Sequence, residues 1–258
     1  SKALQRPVQV VWSREEDTRH GFYRPVSMSR FRVGLGKDGL PVQWKSQIAQ
    51  PYLSASVPMA FVGGVHNQRL PKHFYKVEGV QADYAPVYLG VPVGSWRSPP
   101  NSLNGFYTES VMDELAHLAG QDPLEYRLKL MPKSPKHRAV LEQVAKQAGW
   151  GRPLPEGRAR GIAINDWFPA MQAKTVAAQV AEVSVSERGK LKVERVDCVV
   201  DCGLAVNPDS VRAQMEGSII MGMSAARFER ITLEDGRVVQ SNFDDYRIAR
   251  MRDTPEIN

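Results

Sequence analysis

Cysteine is scarce in this chain. Cys198 and Cys202 are the only two in 258 residues, which excludes a disulfide framework and a four-cysteine iron–sulfur site. They lie four apart, where a strand runs into a turn, and read as two reduced, half-buried thiols. Histidine is also sparse: His20, His66, His73, His117 and His137 are scattered without zinc-ligand spacing. No apolar run approaches the roughly 20 residues of a membrane-spanning helix. Aromatic side chains make up 8% of the sequence, and the most basic stretch has little besides Trp150. That argues against a nucleic-acid module, which interleaves cations with aromatics.

What is present is the composition of a globular protein, long enough for one large or two small domains. The formal charge of +6 is local. Between residues 127 and 160, nine Lys/Arg side chains face only Glu142 and Glu156; the rest of the chain is close to neutral. Such a run reads as a solvated helical face or a docking surface for a partner.

The pattern along the chain predicts an α+β fold, with mixed sheets and packed helices. Residues 1–5 look like the tail of a helix, and residues 8–12 read as a buried strand. Ser13-Arg14-Glu15-Glu16 is a capping-box signature for a short helix. Phe31, Val33 and Leu35 alternate along a strand, Lys37-Asp38-Gly39 is a hairpin turn, and residues 42–48 pair back. Residues 50–75 carry little signal beyond Gly63-Gly64 and the two histidines, His66 and His73. Residues 77–93 read as one or two strands. Leu103, Phe106, Tyr107, Val111, Leu115 and Ala119 mark the apolar face of a helix over 101–119. On that helix Glu109, Asp113 and Glu114 read as solvated and not as a catalytic acid/base pair. Asp122-Pro123 and Ser134-Pro135 start two more helices, and Gly149 ends the second. The linker at 153–157 divides the chain into a first α+β half, 1–152, and a second, 153–258.

The second half opens on a strand at 161–164, then a loop, Asn165-Asp166-Trp167-Phe168-Pro169. The adjacent aromatics Trp167 and Phe168 either line an apolar substrate pocket or pack beneath the loop. Strands at 176–185 and 191–200 follow. Asn207-Pro208 caps a helix carrying Gln214, and Asp235-Gly236 turns a hairpin. Gly217 and Gly222 inside that helix each cost about 1 kcal/mol relative to alanine, which suggests close approach by another backbone or a ligand.

The stretch Gly94-Ser95-Trp96-Arg97-Ser98-Pro99-Pro100 organises the rest. Two prolines stiffen the connection ahead of the helix and remove two amide donors. The pair Trp96-Arg97 then either forms the wall of a pocket, indole for shape and guanidinium for donors, or is a tight turn with Trp96 inside and Arg97 in solvent.

The run Gly94-Ser95-Trp96-Arg97-Ser98, followed by Glu109-Ser110-Val111-Met112-Asp113-Glu114-Leu115-Ala116 and Asp122-Pro123-Leu124-Glu125-Tyr126-Arg127, resembles the molybdenum-binding large subunit of the xanthine dehydrogenase/aldehyde oxidase family. Within that family it is most similar to the branch of the isoquinoline oxidoreductase beta subunit. A second block agrees in order: Val196-Asp197-Cys198-Val199-Val200-Asp201-Cys202-Gly203, Val206-Asn207-Pro208 and Gln214-Met215-Glu216-Gly217. The resemblance implies oxidation of aldehydes or hydroxylation of N-heteroaromatic rings, with water as the oxygen source. It implies a molybdopterin cofactor, in this branch the cytosine dinucleotide form, and a separate two-iron two-sulfur subunit as electron partner. On it, Gly94, Ser95, Arg97 and Gln214 would contact the cofactor, and Trp96, Arg97, Trp167 and Phe168 the substrate pocket.

Three family segments have no counterpart here: a Gly-Gly-Gly-Phe-Gly run expected before Ser1, a Met-Gly-Gln-Gly run, and a Gly-Glu-Pro-Gly run expected after Asn258 that carries the general-base glutamate. Neither Glu216 nor Glu256 sits in the matching motif. The chain is therefore expected to be an internal piece of the large subunit, neither holding molybdopterin stably nor turning over substrate alone. The rival reading is a non-catalytic docking domain that keeps the fold and uses the basic 127–160 face.

Overall fold

The computed structural model describes residues 2–51, 74–94, 96–98, 101–167 and 175–258. Gly63, Gly64, His66, His73, Ser95, Pro99, Pro100, Phe168 and Pro169 lie outside the described residues. An α+β architecture with two main sheets and packed helices emerges.

Local chemistry sets most element ends. Ser13 accepts a hydrogen bond from the Glu16 amide at 3.2 Å and opens α1 (Arg14–His20). Strands β1 (Met28–Leu35) and β2 (Pro41–Gln50) form the expected antiparallel hairpin. Its turn needs a glycine: Gly39 has φ +76°, and a side chain there would also meet Ala119 at 2.9 Å. The tip is held by Tyr126, whose hydroxyl donates to the Gly39 carbonyl at 3.0 Å, and by Gln121, which donates to the Asp38 carbonyl at 3.1 Å. Strand β3 (Gly79–Pro86) lies parallel to β2 and completes the first sheet, in the order β1-β2-β3.

Three helices follow: α2 (Asn101–Leu118), α3 (Pro123–Lys129) and α4 (Pro135–Ala148). Asp122 caps α3 through the Leu124 and Glu125 amides, and Gly149 ends α4 at φ 65°, as their signatures predict. The second sheet is built from β4 (Arg158–Trp167), β5 (Thr175–Val185), β6 (Leu191–Asp201) and a short parallel β9 (Glu256–Ile257), in the order β4-β5-β6-β9. Helix α4 lies across β5 and β6. Leu141, Val144, Ala145 and Ala148 meet Ile162, Ile164, Val176, Ala178 and Val180 in one buried core. Alternation along β5 sends Val176, Ala178 and Val180 inward. Helix α5 (Pro208–Arg227), capped by Asn207, and the β7 (Leu233–Glu234)/β8 (Arg237–Val238) hairpin complete the chain.

Several expectations are corrected. Residues 8–12 form no strand: Val10, Val11 and Trp12 are at least 69% exposed, with no described neighbour strand to pair with. Strand β4 runs on through Asn165, Asp166 and Trp167, because their backbones pair with Ala177, Val176 and Thr175 of β5. On α2 the inward face is rotated. Asn104, Gly105, Thr108 and Glu109 are buried with Met112 and Leu115, whereas Phe106 is 67% exposed.

The largest departure is Glu109, which is buried and not solvated. Arg127 of α3 donates from Nε to its Oε2 at 2.9 Å and from Nη2 to its own carbonyl at 3.0 Å. Tyr75 donates to Oε1 at 2.9 Å, and the Ile164 amide of β4 donates to Oε2 at 3.1 Å. Arg127, itself fully buried, also meets Asp113 at 2.7 Å and the Pro123 carbonyl at 3.1 Å. Burial pushes the Glu109 carboxyl up, and Arg127, the Ile164 amide and the Tyr75 hydroxyl pull it back. Burial likewise raises the Tyr75 phenol well above its ordinary range. Arg127 is opposed by burial, yet Glu109, Tyr75 and Asp113 hold it more firmly charged.

The basic run is likewise not one face. Arg127 is internal. Arg158 and Arg160 both grip Glu182, at 2.8 and 2.9 Å. Arg160 also donates to the Gly149 carbonyl at 2.9 Å, and Arg195 to the Ala148 carbonyl at 3.1 Å. These two guanidiniums cap the C-terminus of α4, where cations are favoured.

Arg127→Met should strand a buried carboxylate and lower stability by about 3–5 kcal/mol in urea unfolding. Adding Glu109→Gln should recover part of that loss, because the uncompensated charge is removed. Arg158 and Arg160 hold the Glu182 carboxyl below its ordinary range against the effect of burial. Its contribution is therefore present above the ordinary carboxylate pKa and lost as pH falls through the depressed one. The stability gap between the native chain and Glu182→Gln should narrow between about pH 5 and pH 3, measured by unfolding at each pH.

Candidate functional site

The Trp96-Arg97 turn is fastened on its upstream side. Tyr23 bridges Val93, its amide donating to the Pro92 carbonyl at 3.1 Å, and the Gly94 amide donates to the Tyr23 carbonyl at 2.9 Å. Gly94 is needed for this approach, since a Cβ there would stand 2.9 Å from the Phe22 Cβ. Trp96 is half-buried, with the Arg24 guanidinium 5.1 Å from its ring centre. Arg24 in turn donates to Ser102 Oγ at 2.9 Å, joining the turn to the start of α2. Ser98 has φ 61°, an unusual value for a serine, and its carbonyl accepts the Ser102 amide at 3.0 Å. Trp96 also borders an aromatic cleft of about 570 Å³ shared with Phe22, Tyr23, Phe243 and Tyr246.

Arg97 is exposed, and its Nη1 lies 3.8 Å from Met221 Sδ on α5. Gln214 is exposed on the same helix. Seven residues are close to two turns, so Gln214 and Met221 share one face about 10 Å apart along the axis. Gly217 and Gly222 are exposed between and beside them, and a Cβ added at either would meet nothing within 4 Å. Among the described residues, therefore, no backbone makes the close approach that the two glycines suggested.

Trp167 stands at the end of β4, 43% exposed. Two contacts bring that strand end to the start of α2: Asn101 Nδ2 donates to the Asp166 carbonyl at 3.2 Å, and Asn165 Nδ2 donates to the Asn101 carbonyl at 3.3 Å. Gly105 makes room for this junction, since a Cβ there would meet Asn165 Nδ2 at 2.7 Å. The turn is thus tied to the end of β4 through the N-terminus of α2, and to one face of α5 through Arg97 and Met221. The arrangement offers a guanidinium, a carboxamide and open glycine backbone around an uncrowded face. That donor set suits an extended organic anion rich in hydrogen-bond acceptors.

Cys198 and Cys202 are free and half-buried, as their spacing suggested. Burial pushes the Cys198 thiol up to about 11, against a hydrogen bond from Gln179, so it stays protonated near neutral pH. Sequence reading passed over a buried pair, His137 Nε2 and Asp166 Oδ2 at 3.3 Å, with the Phe74 ring stacked 4.5 Å from the imidazole. The partners lie 29 residues apart, on a helix and a strand whose packing no local pattern encodes.

Comparisons with known proteins bear on the family and the fold. Two family profiles, each described as a molybdopterin cofactor-binding domain, match residues 1–131 and 108–255. The beta chain of isoquinoline 1-oxidoreductase from Brevundimonas diminuta is 31% identical over 269 residues, covering 100% of this chain and 34% of that protein. A nicotinate dehydrogenase subunit from Pseudomonas putida is 30% identical over 285 residues, covering 100% and 24%. This chain thus spans about a third or less of the length of these relatives. Quinoline 2-oxidoreductase from Pseudomonas putida 86 shares the fold with a TM-score of 0.87 at 12% identity, over 100% of this chain and 57% of that one. With one profile covering more than half of its residues and the other about half, the chain belongs to the molybdopterin cofactor-binding domain family.

Proposed function

We propose that this chain is the cofactor-cradling part of a molybdenum hydroxylase large subunit, which oxidises an aldehyde or hydroxylates an N-heteroaromatic ring with oxygen from water. The observation that carries the reading is the meeting of Arg97 with Met221, on the same open face of α5 that bears Gln214. Molybdopterin, here in its cytosine dinucleotide form, supplies the two-electron redox chemistry when bound. Gln214 would hydrogen-bond the pterin, and Gly217 and Gly222 would let the cofactor lie against bare backbone. Gly94 and Ser95 would present the turn. The amides of the Trp96-Arg97 turn and the Arg97 guanidinium would donate to oxygens, preorganised so that little reorganisation accompanies charge development.

Trp96, Arg97, Trp167 and Phe168 would wall the substrate pocket. The indoles would exclude water and orient a planar or apolar substrate. No carboxylate of this chain is assigned as general base: Glu216 and Glu256 occupy no matching motif, and Glu109 is committed to Arg127. Electrons would leave through a two-iron two-sulfur partner. Both relatives are named as single subunits of their enzymes, which supports a multi-subunit assembly.

Metal and pterin analysis tests this reading, on the chain alone and on the longer polypeptide containing it, co-expressed with its neighbouring subunit. Molybdenum and pterin are expected with the longer polypeptide, and acid hydrolysis should release CMP. Molybdenum in neither preparation would overturn the reading; a different nucleotide would overturn the cytosine form only. Gly217→Ala separates the fold's needs from the cofactor's. In the chain alone it should raise stability by roughly 0.5–1 kcal/mol, read as a higher thermal midpoint. In the longer polypeptide it should lower molybdenum content, because a methyl group then stands on the cradle.

A further inference from the structure

A second concave surface lies at the C-terminal end of α5, next to the cleft that Trp96 borders with Ala225 and Glu229. Three chain segments line it: the start of β6 with Lys190, Leu191 and Lys192; the end of α5 with Ala226, Arg227 and Phe228; and the tail with Arg247, Arg252 and Asp253. Its volume is about 920 Å³. Five cations face one lining carboxylate, Asp253, which Arg247 meets at 3.7 Å. Glu194 stands beside the rim and pairs with Lys192. Two of the guanidiniums are held in place. Arg227 and Arg247 lie 4.7 and 4.3 Å from the Phe228 ring centre, and Arg227 also donates to the Leu191 carbonyl at 2.7 Å. A guanidinium stacked on an aromatic ring keeps its edge donors available for a carboxylate. The side chains of Lys190 and Arg252 are exposed and make no hydrogen bond among the described residues. The local field is strong enough to act on Asp253. A hydrogen bond from the Arg250 amide, and then Arg247, Arg252 and Arg227, hold its carboxyl below the usual range.

We propose that this surface is a docking site for an acidic polypeptide segment, one in which glutamates or aspartates alternate with apolar side chains. Apolar side chains, Leu191, Ala226 and Phe228, lie among the cations of the lining. A small phosphate would leave Leu191 and Ala226 uncovered, and a nucleic acid would need exposed aromatics for its bases. An acidic segment with apolar residues satisfies both parts at once, carboxylates on the fixed guanidiniums and side chains on Leu191 and Ala226. This goes beyond the cofactor reading and does not depend on it, because the surface shares no residue with the Arg97–Gln214 face.

Fluorescence anisotropy with a labelled peptide of alternating glutamate and leucine tests the site. Arg247→Gln with Arg252→Gln should weaken binding at least about tenfold. Lys133→Gln with Arg152→Gln removes the same charge elsewhere on the surface and should change it less than about twofold. Arg252→Gln alone, at an exposed side chain, should retain the fold by circular dichroism and still weaken binding measurably. Equal losses in the two double variants would overturn the site in favour of bulk attraction to a basic protein. Displacement of the peptide by pyrophosphate at equal concentration would overturn it in favour of a small-anion site. Tighter retention of a single-stranded oligonucleotide than of the peptide would overturn it in favour of nucleic acid.

Discussion

The buried pair Glu109–Arg127 is the interaction on which the arrangement of this chain depends. Two charges removed from water are tolerable only when each finds several partners, and here each does. Glu109 accepts from Arg127, Tyr75 and the Ile164 amide, and Arg127 also reaches Asp113 and the Pro123 carbonyl. The partners come from α2, α3, β4 and the segment entering β3. Satisfying this one pair therefore fixes the register of α2 against both neighbours. The same requirement explains why the inward face of α2 carries Glu109 among Val111, Met112 and Leu115, and why Phe106 is left outside.

From that anchored helix the functional geometry follows. The N-terminus of α2 receives the Trp-Arg turn through the Ser98 carbonyl and the Arg24–Ser102 bond. It receives the end of β4 through Asn101, Asn165 and the cleft left by Gly105. The turn then reaches α5 through Arg97 and Met221. Helix α5 is itself lightly packed, and its small exposed residues leave a face free for a ligand. The chain thus places donors on rigid elements and leaves the space between them open, as preorganised binding requires.

What the sequence revealed was local. Asp38-Gly39, Asp235-Gly236, the caps at Ser13, Asp122 and Asn207, the prolines Pro123, Pro135 and Pro208, and the stop at Gly149 each act within a few residues, and all appear where their chemistry puts them. The strand expected at 176–185 is present as β5. The failures were tertiary. Residues 8–12 have strand-like composition but no described partner strand, so composition misled. Glu109 looked solvated because a carboxylate on a helix normally is, and only the distant Arg127, Tyr75 and Ile164 reverse that. The basic run at 127–160 looked like a surface, yet Arg127, Arg158 and Arg160 turn inward to carboxylates and to the end of α4. The motif blocks around Trp96-Arg97 and Gln214 pointed to the family directly. That Arg97 reaches the face of α5 that also bears Gln214 needed the fold.

The most direct measurement is an experimental structure of the cofactor-loaded longer polypeptide, with attention to the face of α5. The account expects the cofactor within hydrogen-bonding distance of the Gln214 carboxamide, lying over Gly217 without an intervening side chain, with the Trp96-Arg97 turn at its far end. A face of α5 covered by polypeptide, with the cofactor elsewhere, would contradict it.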